Sequence, residues 1–157
     1  MKTPIFSIYI CLTIMAGILV ASCDKGDNVK PVINLIEPEE GDVLQIGGDV
    51  HFEMKLSDDV ALGSYKVDIH HNFDNHGHEK SGEETETVPF EFSREWVEDI
   101  AGKKNATVHH HEIVIPENAT EGAYHLMVYC TDAAGNEAYV TVNVELSHEG
   151  EEHEHDE

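Results

Sequence analysis

Twelve histidines fall in a chain of 157 residues, and every one lies after residue 22. Neutral imidazole is a good ligand for borderline divalent metals, so the spacing of these rings decides what chemistry is open to them. His76 and His78 flank Gly77. On an extended chain His-x-His puts both rings on one side, about 6–7 Å apart at Cα, and the glycine lets the backbone bend until they converge. His70 lies just upstream on the same face as Asp68, and Asp74 falls between His70 and His76. His125 belongs to a second alternating stretch, on the side away from Tyr124 and Leu126. The expected metal site is His70, His76, His78 and His125. Asp68 or Asp74 would serve as a fifth ligand or as the acceptor that fixes an imidazole tautomer. Singly, a histidine on a polar strand face is ordinarily a surface residue. Convergence from adjoining elements is what makes the set a candidate.

A consecutive triple, His109, His110 and His111, is a second candidate site or an extension of the first. Strict alternation sends His109 and His111 to one face, together with Ile113 and Ile115, and His110 to the other. Residues 148–157 (HEGEEHEHDE) add His148, His153 and His155 among carboxylates. These raise the local cation concentration without defining a geometry. Imidazole and carboxylate without thiolate suit Zn²⁺, Cu²⁺, Ni²⁺ or Fe²⁺, and zinc ranks first. Copper(I) would want sulfur. Calcium would want an all-oxygen cage, and residues 74–87 lack EF-hand spacing.

The elements that must position these rings read as strands. Residues 32–36, 50–56, 65–73, 106–115, 124–130 and 140–146 alternate or run extended, and 88–96 is a weaker strand with Phe90 and Phe92 inward. Residues 93–105 leave room for one helical turn near Trp96 and Val97, stopped by Gly102. Residues 132–136 (DAAGN) are a tight turn in which Gly135 supplies a positive φ. About seven short strands with turns between them predict an all-β, immunoglobulin-like antiparallel β-sandwich, with a small barrel as the competing fold. In such a sandwich the third and sixth strands are antiparallel neighbours, which sets His70 and Asp68 beside His125. The strand of His109, His110 and His111 belongs to the opposite sheet. The polar loop 74–87 then folds back over the first pair, and the tail 148–157 is expected to be disordered.

The N-terminal end sets the compartment. Lys2, an apolar run over 5–20 and then Ala21-Ser22-Cys23 have the order of a secretory signal. A cysteine directly after the small residues resembles a bacterial lipobox, which implies cleavage before Cys23 and its lipidation. A membrane-spanning anchor is the competing reading, but the run is short and no cluster of positive charge follows it. The expected organisation is a lipoprotein signal peptide at 1–22, a lipidated tether at 23–30, one immunoglobulin-like domain at 31–147 and the acidic tail. Of three cysteines only Cys130 stays in the domain, so an internal disulfide and a thiolate cluster are excluded. Cys130 sits in an apolar alternation and reads as an inert core residue. The net charge of −23 argues against nucleic acid and favours cations.

Residues 63–78 (GSYKVDIHHNFDNHGH), 113–116 (IVIP), 122–127 (GAYHLM) and 131–136 (TDAAGN) resemble the motifs of an uncharacterised lipoprotein family of Bacteroidota with an immunoglobulin-like domain. The resemblance implies the sandwich and the envelope location, and supports His70, Asp74, His76, His78 and His125 as a set. It implies no activity. No His-Glu-x-x-His motif and no nucleophile setting occur, so binding rather than catalysis is expected. The leading expectation is an outer-membrane lipoprotein that captures or buffers a divalent transition metal. Its candidate partners are the ion, the membrane through the lipid anchor, and an outer-membrane transporter. The alternative is a non-catalytic adhesion module for glycan or protein, for which Trp96, Tyr129 and Tyr139 are scattered aromatic candidates.

Overall fold

The period-two pattern of the sequence becomes strands. The structure is a computed structural model that describes residues 26–72 and 87–149. Cys23 and the signal segment, Asp74, His76 and His78 in the polar loop, and residues 150–157 of the tail lie outside the described residues. Among the described residues eight strands form: β1 (Val32–Glu37), β2 (Val43–Gln45), β3 (Asp49–Ser57), β4 (Leu62–His71), β5 (Phe92–Trp96), β6 (Asn105–Val114), β7 (Gly122–Asp132) and β8 (Glu137–Ser147). The addition to the expected set is β2, three residues that run parallel to β8. The weak strand begins only at Phe92. Val88 instead makes an isolated bridge to Ala119, and Pro89 after it has no amide to give a ladder.

Two sheets result, ordered β1-β3-β6 and β2-β8-β7-β4-β5. This is an all-β sandwich of immunoglobulin type, with β4 and β7 antiparallel neighbours in the larger sheet and β6 in the smaller one. Alternate residues of β3, β4 and β7 fill the space between them. Phe52, Met54, Leu56, Tyr65, Val67, Ile69, Leu126 and Val128 are all buried. Each such side chain contributes about 1.5–3 kcal/mol on burial. Cys130 is buried and free, and its thiol is pushed up to about 11 by burial, with Asp58 and Asp132 adding to the rise. The expected core position of this cysteine is found.

Trp96 stacks on Tyr65 with ring centroids 4.9 Å apart. Its indole N–H donates to Glu112 Oε2 at 3.0 Å, and Arg94 pairs with the same oxygen at 2.8 Å. These bonds join the β5 edge of one sheet to β6 of the other. The helical turn expected here forms just after the tryptophan: Ala101 N–H donates to the Val97 carbonyl at 3.0 Å, and Gly102 ends it at φ 77°. The 132–136 turn has Gly135 at φ 92°, as expected.

Tyr124 locks one corner of the sandwich. Its hydroxyl donates to the Thr120 carbonyl at 2.8 Å and accepts the Phe90 amide at 3.1 Å. A tyrosine at the start of this strand that bonds a few residues upstream is the tyrosine corner of immunoglobulin-type folds. Tyr124→Phe removes both bonds and strands a buried amide, so chemical denaturation should show a loss of about 1–3 kcal/mol.

Candidate metal centre

The larger sheet brings two of the predicted ligands together. His70 pairs with His125 across β4 and β7, and the rings meet edge to face with centroids 5.5 Å apart. On the next strand Asn143 pairs with His125. Its side-chain and backbone N–H groups donate to the two Glu40 oxygens at 2.7 and 2.8 Å. The Asn143 donors, with a smaller pull from His125, hold the Glu40 carboxyl below the usual carboxylate range. Asp68 is committed elsewhere: its carboxylate pairs with Lys66 at 2.6 Å. Burial alone would raise the Asp68 carboxyl, but Lys66 and the Ser93 hydroxyl outweigh that and hold it low. The described part of the predicted site is therefore a two-imidazole row, with Asp68 paired to a lysine.

The smaller sheet gathers three imidazoles, one of which sequence reasoning missed. His51 on β3 faces His109 and His111 on β6. Ring centroids are 4.9 Å apart for His51 and His109, 5.0 Å for His51 and His111, and 5.6 Å for His109 and His111. One ring nitrogen from each lies within 4.8 Å of the others, and all three residues are exposed. Asp49 Oδ2 sits 2.8 Å from His111 Nδ1. A carboxylate on one ring nitrogen fixes the tautomer and leaves Nε2 for a ligand, the arrangement usual behind metal-bound histidine.

A β-bulge makes this face. Val50 pairs with Ile113 and Phe52 with His110, so the residue between them, His51, opposes both His111 and Glu112. The extra residue shifts the phase of the strand. His109 and His111 stay outside, while Ile113 and Ile115 turn into the core. The expectation that Ile113 and Ile115 share a face with the outer histidines is corrected here: strict alternation fails where one strand carries a surplus residue.

His110 lies before the bulge, where alternation turns it inward and away from His109 and His111. Its ring stacks on Phe52 at 4.9 Å and on Trp96 at 5.0 Å, within the edge of the core. Nδ1 accepts the Glu112 amide at 3.3 Å, and Nε2 is buried without a partner among the described residues. His110 is thus not placed with His109 and His111 as a ligand. Burial, the largest influence, pushes its pKa below the ordinary imidazole value. The unfolded chain then takes up this proton first as pH falls below about 6.5, so stability declines with falling pH until the folded ring also titrates. His110→Phe should keep the stacking and remove this component. The drop in thermal midpoint between pH 7.5 and pH 5 is expected to be smaller than in the parent chain, and an equal drop would refute the assignment.

Tyr129 and Tyr139, expected to be scattered, are cross-strand neighbours with centroids 6.0 Å apart, whereas Trp96 is core.

Fold and site together define an immunoglobulin-type β-sandwich that carries clustered imidazoles on both outer faces. The chain belongs to the family described as a domain of unknown function (DUF4625), whose model matches residues 19–147. Comparison with curated proteins gives no significant match.

Proposed function

We propose that this protein is a bacterial envelope lipoprotein, anchored through Cys23, that captures or buffers a divalent transition metal, with zinc first. The observation that carries the reading is the convergence of His51, His109 and His111, with Asp49 held on His111 Nδ1. Tetrahedral zinc with Zn–N bonds of about 2.0–2.1 Å places its ligand atoms about 3.3 Å apart. The three nitrogens are already within 4.8 Å, and exposed side chains close the remainder by rotation about χ1 and χ2. Three imidazoles leave one coordination position for water or for a ligand from a transfer partner, such as an outer-membrane transporter. The His70–His125 row on the other sheet is a second binding place, and the expected ligands Asp74, His76 and His78 follow His70 closely in sequence.

The test is elemental analysis of the purified full-length chain, followed by zinc titration against a competing chelator. About one tightly held equivalent per chain is expected at neutral pH. A chain that holds no zinc against a weak chelator would end this reading.

A second reading, recognition of glycan or protein without metal, has the Tyr129–Tyr139 pair in its favour, since Tyr139 is 65 % exposed. Glycan-array binding that survives chelation would favour it over the first.

A further inference from the structure

At one pole of the sandwich three carboxylates meet, two of them seven residues beyond His51 and His125. Asp58 follows the end of β3, Asp132 ends β7, and Asp27 lies on the segment leading into β1. One carboxylate oxygen from each lies within 4.8 Å of the others. Asp132 and Asp58 are only 4 % and 9 % exposed. Among the described residues no lysine or arginine forms an ion pair with any of the three. Like charges this close in a partly dry place repel strongly unless something positive lies between them.

The hydrogen bonds show where that positive charge belongs. Asp132 Oδ1 accepts the Ala134 and Asn136 amides, and its Oδ2 accepts the Asn136 side-chain amide at 2.6 Å. Asp58 Oδ1 accepts the Val60 and Ala61 amides at 2.9 and 2.7 Å. Asp58 Oδ2, in contrast, is buried and has no partner among the described residues. An unpaired buried carboxylate oxygen is costly, so its persistence points to a ligand. The backbone is shaped to bring the pieces together. Gly63 lies against the carbonyls of Thr131 and Asp132, where an added Cβ would come within 2.7 Å of the Asp132 oxygen. Asn136 Nδ2 also donates to the Asp27 carbonyl at 3.1 Å, which ties the N-terminal segment to the 132–136 turn.

We propose that Asp27, Asp58 and Asp132 form a calcium site that clamps the N-terminal segment onto the body of the sandwich. The donors are all oxygen and all hard, which suits calcium and not zinc. Three oxygens at the 4.8 Å limit would each lie about 2.8 Å from a central ion, so a small side-chain rotation brings all three to calcium at about 2.3–2.6 Å without rearranging the strands. Water completes the six to eight ligands. The ion neutralises the carboxylates, satisfies Asp58 Oδ2, and fixes the direction in which residues 26–30 leave the domain. This site stands independently of the imidazole cluster.

The experiment uses the full-length chain in detergent, stripped with EGTA, with calcium chloride as the probe. Calorimetry should give one saturable calcium per chain, and the thermal midpoint should rise by at least about 5 °C at calcium 100-fold above Kd. Asp27→Ala, a change outside every strand, should weaken binding at least tenfold and shrink the thermal shift. Asp58→Asn should abolish saturable binding while leaving the weak uptake by the acidic tail. His51→Ala with His109→Ala should leave the calcium response intact, which separates this site from the metal centre. Absence of saturable binding at about 5 mM calcium overturns the proposal. So does a thermal shift that survives both aspartate substitutions, or an equal shift with magnesium.

Discussion

Replacing His51 and His109 together by alanine is expected to reduce zinc affinity by at least 1,000-fold, on the order of 4 kcal/mol. Two of three imidazoles are gone, and His111 with Asp49 cannot hold the ion in a chelate. Asp49→Asn removes the carboxylate behind His111 and keeps all three rings, so its loss should be smaller, about 10–100-fold. His70→Ala with His125→Ala is the decisive comparison, because those rings lie on the other sheet. Tight binding should survive it. The outcome that sinks the assignment is the reverse pattern, in which the His70 and His125 substitutions abolish tight binding and those at His51 and His109 change Kd less than threefold. All four rings lie on outward strand faces, so circular dichroism should confirm an unchanged fold in both variants. Binding should also weaken as pH falls, because imidazole must lose its proton to ligate.

Phe52→Ala should cost about 3–5 kcal/mol, a large share of the 5–15 kcal/mol that holds a typical domain together. Phe52 is fully buried on β3, directly after His51, and its ring stacks on His110. Truncation leaves a cavity beneath the bulge, because the flanking Val50 and Met54 are themselves buried and cannot collapse into it without moving the strand. Urea denaturation reads this loss. Zinc should still raise the thermal midpoint of this variant, whereas it should raise that of the His51 and His109 double variant little. A binding site whose residues stay present on a weakened scaffold is thereby distinguished from one whose ligands are gone. A loss under 1 kcal/mol would mean that the β3–β6 contact is not the packed layer described here.

Much of the architecture was legible because it depends on local repeats. Period-two alternation at 50–56, 65–73 and 124–130 marks half-buried strands whatever their partners are, since successive side chains point to opposite faces. The sandwich order then places β4 beside β7, and His70 does fall opposite His125. Cys130 was legible for the same reason, as one inward position in an apolar series. Asp68 was not. Its place on the face followed from alternation, but its pairing with Lys66 depends on which rotamer each long side chain takes.

The sequence by itself determined the strands, the inward residues, the adjacency of the His70 and His125 strands, and a charge that favours cations. Only the tertiary structure decided that His51 joins His109 and His111, that His110 turns into the core, and that Asp27, Asp58 and Asp132 meet at one pole. The physical reason is range. Alternation is set by the geometry of neighbouring peptide units, whereas these groupings depend on the register between segments some 30 to 105 residues apart and on one surplus residue in β6. A single-residue change in register or phase moves a side chain to the opposite face, and neither composition nor spacing records where that change occurs.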